Sequence, residues 1–268
     1  MSAETSDTPD QGGKYTVQIL ARAVSVLAAL AARSEPASLD DLGSALDINK
    51  PSLLRVLRTL EDERLVLRVD DDYRLGPRVL EFSHGYLRGL DLDDVARPFM
   101  QQLAKHTNQT VSLAILDDLE VVYIAIERAQ QEIGIQGEVG ARHPANATAL
   151  GKAMLADLSP DALRAALHGR DLPRLTHRTI TDPEALTRHL VHVRRDGVAH
   201  DDEERGIGIR CVAAPIRRAD GRVIAALSIA GPIFHMTEDV VPEYQARLVA
   251  ATNAISERFG HRSTVAAD

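Results

Sequence analysis

The stretch that most constrains this chain is residues 39–75, where the hydrophobic period changes from helical to alternating within forty residues. Ser38-Leu39-Asp40-Asp41 has the form of a helix start, and Leu42, Ala45 and Leu46 give the short helix that follows one apolar face. A turn at Asp47-Ile48 leads to Asn49, a good N-cap, and to Pro51, which a first helical turn tolerates because its missing N–H would be unpaired there. In the second helix Leu53, Val56, Leu57 and Leu60 recur at helical spacing and must face a core. Leu65, Leu67 and Val69 then alternate with Val66 and Arg68, Asp70-Asp71-Asp72 makes a turn, and Tyr73-Arg74-Leu75 returns. The preceding segment places Ile19, Ala23, Val26, Leu27 and Leu30 on one face, so three helices and a two-stranded wing can enclose one small core. This pattern predicts a winged helix-turn-helix.

The outer face of the second helix, expected over residues 49 to about 64, carries Arg55, Arg58 and Thr59, with Ser52 on its flank and Lys50 at its start. Short hydroxyls and forked cations are the side chains that reach base edges and phosphates in a DNA major groove. Ser52 and Arg55 are the base-edge candidates; Lys50, Arg58 and Thr59 are placed to hold phosphates. The net charge of −8 excludes a protein coated with basic surface for indiscriminate nucleic-acid binding, but a local stripe suffices for specific binding. Aromatic residues make up only 3%, too few for the stacking platforms of single-strand or RNA-loop recognition. Double-stranded DNA is the expected partner.

A chain of 268 residues suits two domains. Residues 1–14 read as a polar, disordered tail, 15–76 as the winged helix, 77–91 as a linker helix with Val79, Leu80, Leu87 and Leu90, 92–260 as a second domain and 261–268 as a C-terminal tail. In the second domain, strands are expected at 111–116, 120–128, 133–138, 210–216 and 223–229, the last two joined at Asp220-Gly221. Helices are expected at 93–106, 147–155, 161–167, 183–196 and around Val241, Tyr244, Leu248, Ala251 and Ile255. That order predicts an α+β domain on a largely antiparallel sheet. Cys211 is the only cysteine, so no intrachain disulfide can form, and nothing resembles a signal core or membrane span; a cytoplasmic protein is expected.

The densest chemical cluster is His200-Asp201-Asp202-Glu203-Glu204. Consecutive residues cannot converge on one ion, and no second histidine stands at helical spacing, so a solvated turn is expected and no metal. Gly151-Lys152 fails as a phosphate loop because Asn146 and Ala153 occupy the glycine and hydroxyl positions. Gly206-Ile207-Gly208 is too short for a dinucleotide fingerprint, no serine lies in a nucleophile elbow, and Cys211 falls inside an apolar strand as a quiet core thiol. No catalytic residues and no cofactor are expected. The small-residue segment 146–152 begins a helix; it suits either ligand approach to the backbone or close helix–sheet packing.

Taken in order, these segments resemble the IclR family of bacterial transcription regulators over residues 15–260. The resemblance rests on Leu53-Leu54-Arg55-Val56-Leu57-Arg58-Thr59-Leu60, on His143-Pro144-Ala145-Asn146-Ala147-Thr148-Ala149-Leu150-Gly151-Lys152-Ala153, and on Asp201-Asp202-Glu203-Glu204. It rests further on Gly208-Ile209-Arg210-Cys211-Val212-Ala213-Ala214-Pro215 and Ala226-Leu227-Ser228-Ile229-Ala230-Gly231-Pro232. It implies a winged helix, a linker helix and a GAF-like effector-binding domain, acting as a homodimer or dimer of dimers on operator DNA. Carried over by motif, Ala149 and Leu150 would line an effector pocket with Asp201, Ile209, Cys211 and Ser228, holding a small organic or aromatic acid. Ala230 stands where some relatives have a second serine and Ala149 where some have glycine, which makes this pocket less polar. Pro51 and Leu54 depart from a frequent Ser and a frequent His or Tyr at the recognition-helix start. A ligand-independent DNA-binding protein and a metal-dependent hydrolase using Asp201 are the alternatives.

Overall fold

The structure, a computed structural model, describes residues 17–88, 92–128 and 137–261. The expected N-terminal tail, Leu90, most of the strand expected at 133–138 and all but the first residue of the C-terminal tail lie outside them. The chain divides into two compact units, Met1–Gly89 and Leu90–Asp268.

The first unit runs α1 (Gln18–Ala31), β1 (Ala37–Ser38), α2 (Leu39–Leu46), α3 (Lys50–Asp62), β2 (Val66–Val69), β3 (Asp72–Leu75) and α4 (Arg78–Arg88). Its helix starts follow their side chains. Ser38 Oγ accepts from Asp41 N at 3.1 Å, and Asn49 Oδ1 accepts from Ser52 N at 3.0 Å with Pro51 behind it in the first turn. Asp47, at φ 51°, makes the left-handed corner between α2 and α3. Val26, Leu30, Leu42, Leu53, Val56, Leu57, Leu60, Val66 and Tyr73 form one core.

Three details differ from the sequence pattern. Ala45 is exposed, because one turn of α2 is covered only along the Leu42 edge. In the wing it is Val66 and Tyr73, not Leu65, Leu67 and Val69, that are fully buried. A third strand, the two-residue β1, pairs with β3 and sets that inside face. Ile19 is 51% exposed, alongside Val17, Leu20 and Val24.

The second unit contains α5 (Leu92–Thr107), β4 (Thr110–Asp117), β5 (Glu120–Glu127), β6 (Arg142–Pro144), a 3-10 turn (Ala145–Ala147), α6 (Ala149–Leu155), α7 (Pro160–Leu167), α8 (Pro183–Asp196), β7 (Ala199–Asp202), β8 (Ile209–Arg217), β9 (Val223–Pro232) and α9 (Val241–Arg258). Among the described residues the sheet has the order β6-β5-β4-β9-β8-β7, with every neighbouring pair antiparallel. α5 and α9 pack together and against β4, β5, β8 and β9. α6 and α8 cover the side on which Ala114, Tyr123, Cys211, Ala213, Ala226 and Ala230 join one core. Strand residues alternate sides, so Val111, Leu113, Val212, Ala214, Leu227 and Ile229 fill the other, α5/α9 side. Gly151 lets α6 lie close to the 3-10 turn, since a Cβ there would stand 2.3 Å from Ala145 Cα. Two sequence expectations are corrected here. Residues 137–138 are not strand, and the outer neighbour of β5 is β6. The run at 200–204 is not a solvated turn, because it begins in β7, which the alternation of a four-residue acidic strand does not announce.

Candidate DNA-binding face and ligand pocket

On α3, the residues opposite Leu53, Val56, Leu57 and Leu60 are exposed, namely Arg55, Arg58 and Thr59, and so is Lys50 at the start of the helix. Arg55, Arg58 and Thr59 lie three and four residues apart, within one patch of helix surface. Among the described residues Arg55 and Arg58 have no ion-pair partner, whereas Lys50 Nζ lies 2.6 Å from Asp40 Oδ1 on the exposed surface. Thr59 Oγ1 donates to Arg55 O at 3.0 Å, which leaves its oxygen lone pairs facing out. Ser52 is different. Its residue is buried, 8% exposed, and its N–H is taken by Asn49. The structure therefore brings three of the five DNA-contact candidates, Arg55, Arg58 and Thr59, onto one outward face, leaves Lys50 exposed at the start of the helix, and buries Ser52. In the wing, Arg68 is held by the tip, donating to Asp70 O at 3.0 Å and Asp71 Oδ1 at 2.7 Å.

The second site follows from strand register. Across β4, β9, β8 and β7, Thr110 stands opposite Ala230, Ala230 opposite Cys211, and Cys211 opposite Asp201. The next row on the same side is Ser112, Ser228, Ala213 and Ala199. Period-two alternation thus delivers three hydroxyls, a thiol and a carboxylate to one patch of sheet. The start of α6 lies over it: Thr148, Ala149 and Leu150 line the same pocket, together with Tyr123, Gly137 and Arg205. The pocket is tight in this structure: the centre of a water-sized sphere can move through only about 20 Å³ of it. Thr148 Oγ1 accepts from Gly151 N at 3.0 Å and so fixes the start of the helix.

Five of the six residues carried over by motif, Ala149, Leu150, Asp201, Cys211 and Ser228, converge here. Ile209 does not line the pocket; it pairs with Pro232 at the end of β8 and packs on the neighbouring core. Sequence reasoning did not name Thr110, Ser112, Tyr123 or Arg205 for this site, and reached Thr148 only as part of the segment 146–152. The two β4 residues were findable, since alternation plus the Ser112–Ser228 register puts them beside Ser228.

Charge in the pocket is arranged by burial. Asp201 is 1% exposed; its Oδ1 accepts from Glu204 N at 2.8 Å and Arg205 N at 3.2 Å, while Oδ2 has no partner among the described residues. Desolvation pushes its carboxyl up to about 6, against the pull of those two N–H groups. The Arg205 guanidinium donates through Nη2 to His143 Nε2 at 2.8 Å, and its buried Nε has no partner among the described residues. Burial first, then the Arg205 charge, lowers His143 to about 4, so the imidazole is neutral near pH 7 and can accept that bond. Burial raises Tyr123 to about 12, which keeps its phenol protonated, and also raises the Cys211 thiol, so Cys211 is no nucleophile. Beneath the pocket Lys152 is fully buried, and its Nζ meets Glu204 Oε1 at 2.5 Å.

The acidic run thus splinters. Asp201 faces the pocket, Asp202 pairs with Arg178 and Arg210, Glu203 Oε1 accepts from Gly208 N, and Glu204 pairs with Lys152. Among the described residues no group of three or more His, Cys, Asp or Glu is placed to hold a metal ion, and no helix is long and apolar enough to cross a membrane.

A winged helix with a cationic outward helix, followed by an α+β unit with a small pocket, defines a DNA-binding transcriptional regulator with a distinct C-terminal domain. The chain belongs to the IclR family: residues 19–70 match the IclR helix-turn-helix domain and 84–257 match the bacterial transcriptional regulator IclR C-terminal domain. The HTH-type transcriptional regulator KdgR of Escherichia coli is 31% identical over 262 residues, 97% of each chain. The IclR structure of Thermotoga maritima superposes with a TM-score of 0.75 at 30% identity, covering 92% of this chain and 100% of that one. An IclR homolog from Microbacterium hydrocarbonoxydans, complexed with 4-hydroxybenzoate, gives 0.79 at 28% identity, covering 90% and 99%. The curated relatives are transcriptional regulators and repressors, not enzymes.

Proposed function

We propose that this regulator binds double-stranded operator DNA through α3 as a homodimer or dimer of dimers in the cytoplasm, with a small organic or aromatic acid in the C-terminal pocket setting its operator affinity. In this reading 15–76 is the DNA-binding domain, 77–91 the linker and 92–260 the effector domain. The observation that carries the ligand reading is the convergence of sheet hydroxyls, Asp201 and Arg205 under the start of α6, with buried polar atoms still unpaired. The 4-hydroxybenzoate held by the Microbacterium homolog supports the same class of ligand. Arg55 is the base-edge reader, and Lys50, Arg58 and Thr59 hold phosphates. The partial burial of α3 on its Ser52 side gives Ser52 a packing role rather than a base contact. Association of two copies has support in the first unit, where Val17, Ile19, Leu20 and Val24 on or beside α1 and Leu80 and Phe82 on α4 are exposed.

Fluorescence anisotropy on the upstream DNA of the gene, against scrambled duplex across a salt series, tests this. Binding tighter by ~10³-fold or more to the upstream duplex is expected, with a shift of roughly 5–150-fold when the effector acid is added. Equal, salt-steep binding to every duplex, upstream or more distant, would refute specific regulation. Specific binding unmoved by acids would support a DNA-binding protein with a purely structural second domain.

A further inference from the structure

The wing of the first unit turns through Asp70 and Asp71 into Asp72, so the hairpin that follows α3 ends in an anionic tip. The small sheet carries that charge towards the start of α3. β1 pairs with β3 so that Ser38 stands opposite Asp72, and Ser38 caps α2, whose first turn holds Asp40 and Asp41. Asp40 Oδ1 in turn meets Nζ of Lys50, the first residue of α3, at 2.6 Å. Carboxylates far apart in the chain thus share one rim that runs from the wing tip to the helix start. Asp40, Asp41, Asp70 and Asp71 on it are exposed.

Two cations touch this rim, and both are engaged by it. Lys50 is paired with Asp40, while Arg68 gives its Nε to Asp70 O at 3.0 Å and its Nη2 to Asp71 Oδ1 at 2.7 Å. Duplex DNA carries one negative charge per ~1.7 Å of its axis, and exposed charges act on it over about 10 Å at 0.1 M salt. A carboxylate tip is repelled by such a surface, and a cation already held by a carboxylate gains less from a phosphate than a free one does.

Resting on the reading of α3 as the DNA-contacting helix, we propose that this rim is a built-in brake on DNA binding: Asp40 and Asp71 stand in for phosphates at Lys50 and Arg68, and the tip holds the wing off the duplex. Phosphate contact from the wing then falls to Arg74, which is exposed and lies two pairs back from the tip. The penalty is charge against charge, so it falls on every sequence alike. Attraction to random DNA is weakened, and occupancy of a site rests on the base contacts made by α3.

Fluorescence anisotropy of the full-length protein on upstream and scrambled duplexes, from about 0.05 to 0.5 M salt, tests this. Asp70→Asn with Asp71→Asn should bind both duplexes ~10-fold or more tighter at low salt. The advantage should shrink as salt rises, with a salt slope steeper by about 0.9 for the freed Arg68. Asn tolerates the φ of 56° at residue 70, and Asp71→Asn alone, which leaves that turn unaltered, should give the same sign. Asp161→Asn with Glu184→Gln makes the same change in net charge on the exposed surface of the second unit, and should leave binding within ~2-fold. Arg68→Gln with Asp71→Asn removes both members of the wing pair and should also stay within ~2-fold of the unmodified protein.

No gain in the tip variants, or an equal gain in the second-unit control, would overturn the brake. So would a loss of ~10-fold or more in the Arg68→Gln, Asp71→Asn variant, which would place Arg68 on a phosphate already. If any of these occurs while the unmodified protein prefers the upstream duplex, the reading of α3 stands without the brake. If the unmodified protein binds no duplex at all, both fall together.

Discussion

Replacing Glu204 by Gln isolates a charge with nowhere to go. Lys152 is fully buried, and its ammonium meets one carboxylate oxygen of Glu204 at 2.5 Å. The pair ties α6, which roofs the pocket, to the segment that carries Arg205. Removing one partner of a buried ion pair costs about 3–5 kcal/mol, because the remaining ion keeps its desolvation penalty and loses its compensation. For a unit of this size about 1 kcal/mol moves the melting temperature by roughly 2–4 °C, so Glu204→Gln should lower it by roughly 6–20 °C. Calorimetry or circular dichroism melts at pH 7 would read this. The double variant Lys152→Met with Glu204→Gln should recover most of the loss, since it removes both charges and leaves a methionine of similar length among Ala153, Leu155 and their neighbours. The main-chain role of Glu204 is untouched by either change: its O accepts from Thr179 Oγ1 at 2.6 Å and its N donates to Asp201. A single variant that costs less than about 1 kcal/mol, or a double variant no better than the single, would refute the account, and the pair would then be a solvated contact.

Further outcomes follow from the same geometry. Arg55→Ala should cost about 1–3 kcal/mol on the upstream DNA and much less on scrambled duplex, whereas Arg58→Ala should weaken both alike and reduce the salt slope by about 0.9; anisotropy titrations against salt separate the two roles. Asp40→Asn frees Lys50 from its exposed partner and removes an anion near the start of α3, so DNA affinity should rise at low salt and converge with the unmodified protein at high salt. Asp201 has a folded value of about 6, above its unfolded 3.8, so the folded state holds the extra proton. Its contribution to stability is greatest below pH 4 and is lost as pH rises through 6, about 3 kcal/mol in all, and Asp201→Asn should abolish that part of the pH dependence in urea melts. Asn146→Ala leaves Pro173 O and Ile180 O without the donors that now reach them at 3.1 and 2.9 Å, and should cost about 1–3 kcal/mol in the same assay.

How much of this was legible in the sequence depends on the range of the forces involved. The winged helix was, because Asn49, Pro51 and the Leu53–Leu60 spacing are local signals and their hydrogen bonds close within one turn. Even there, Ser52 was misplaced: helical spacing puts residue 52 on the flank of α3, and whether a flank is buried depends on what packs beside it. In the pocket, the motif located Ala149, Leu150, Asp201, Cys211 and Ser228, but the row Thr110–Ala230–Cys211–Asp201 exists only through the register of four strands drawn from both ends of the domain. The run at 201–205 shows where local reading fails. As a string it is four carboxylates and an arginine among polar neighbours, and bulk water is the least costly place for all of them. The fold instead assigns each its own partner, because β7 lies at the sheet edge under α6 and the chain then turns at Glu203, φ 60°. That turn points Glu204 at a lysine whose burial no local pattern predicts, and leaves Asp201 and Arg205 facing the pocket with one unpaired atom each. Buried polar groups that stay unpaired are costly and rare, so the same accounting that hides this site from the sequence makes it conspicuous in the structure.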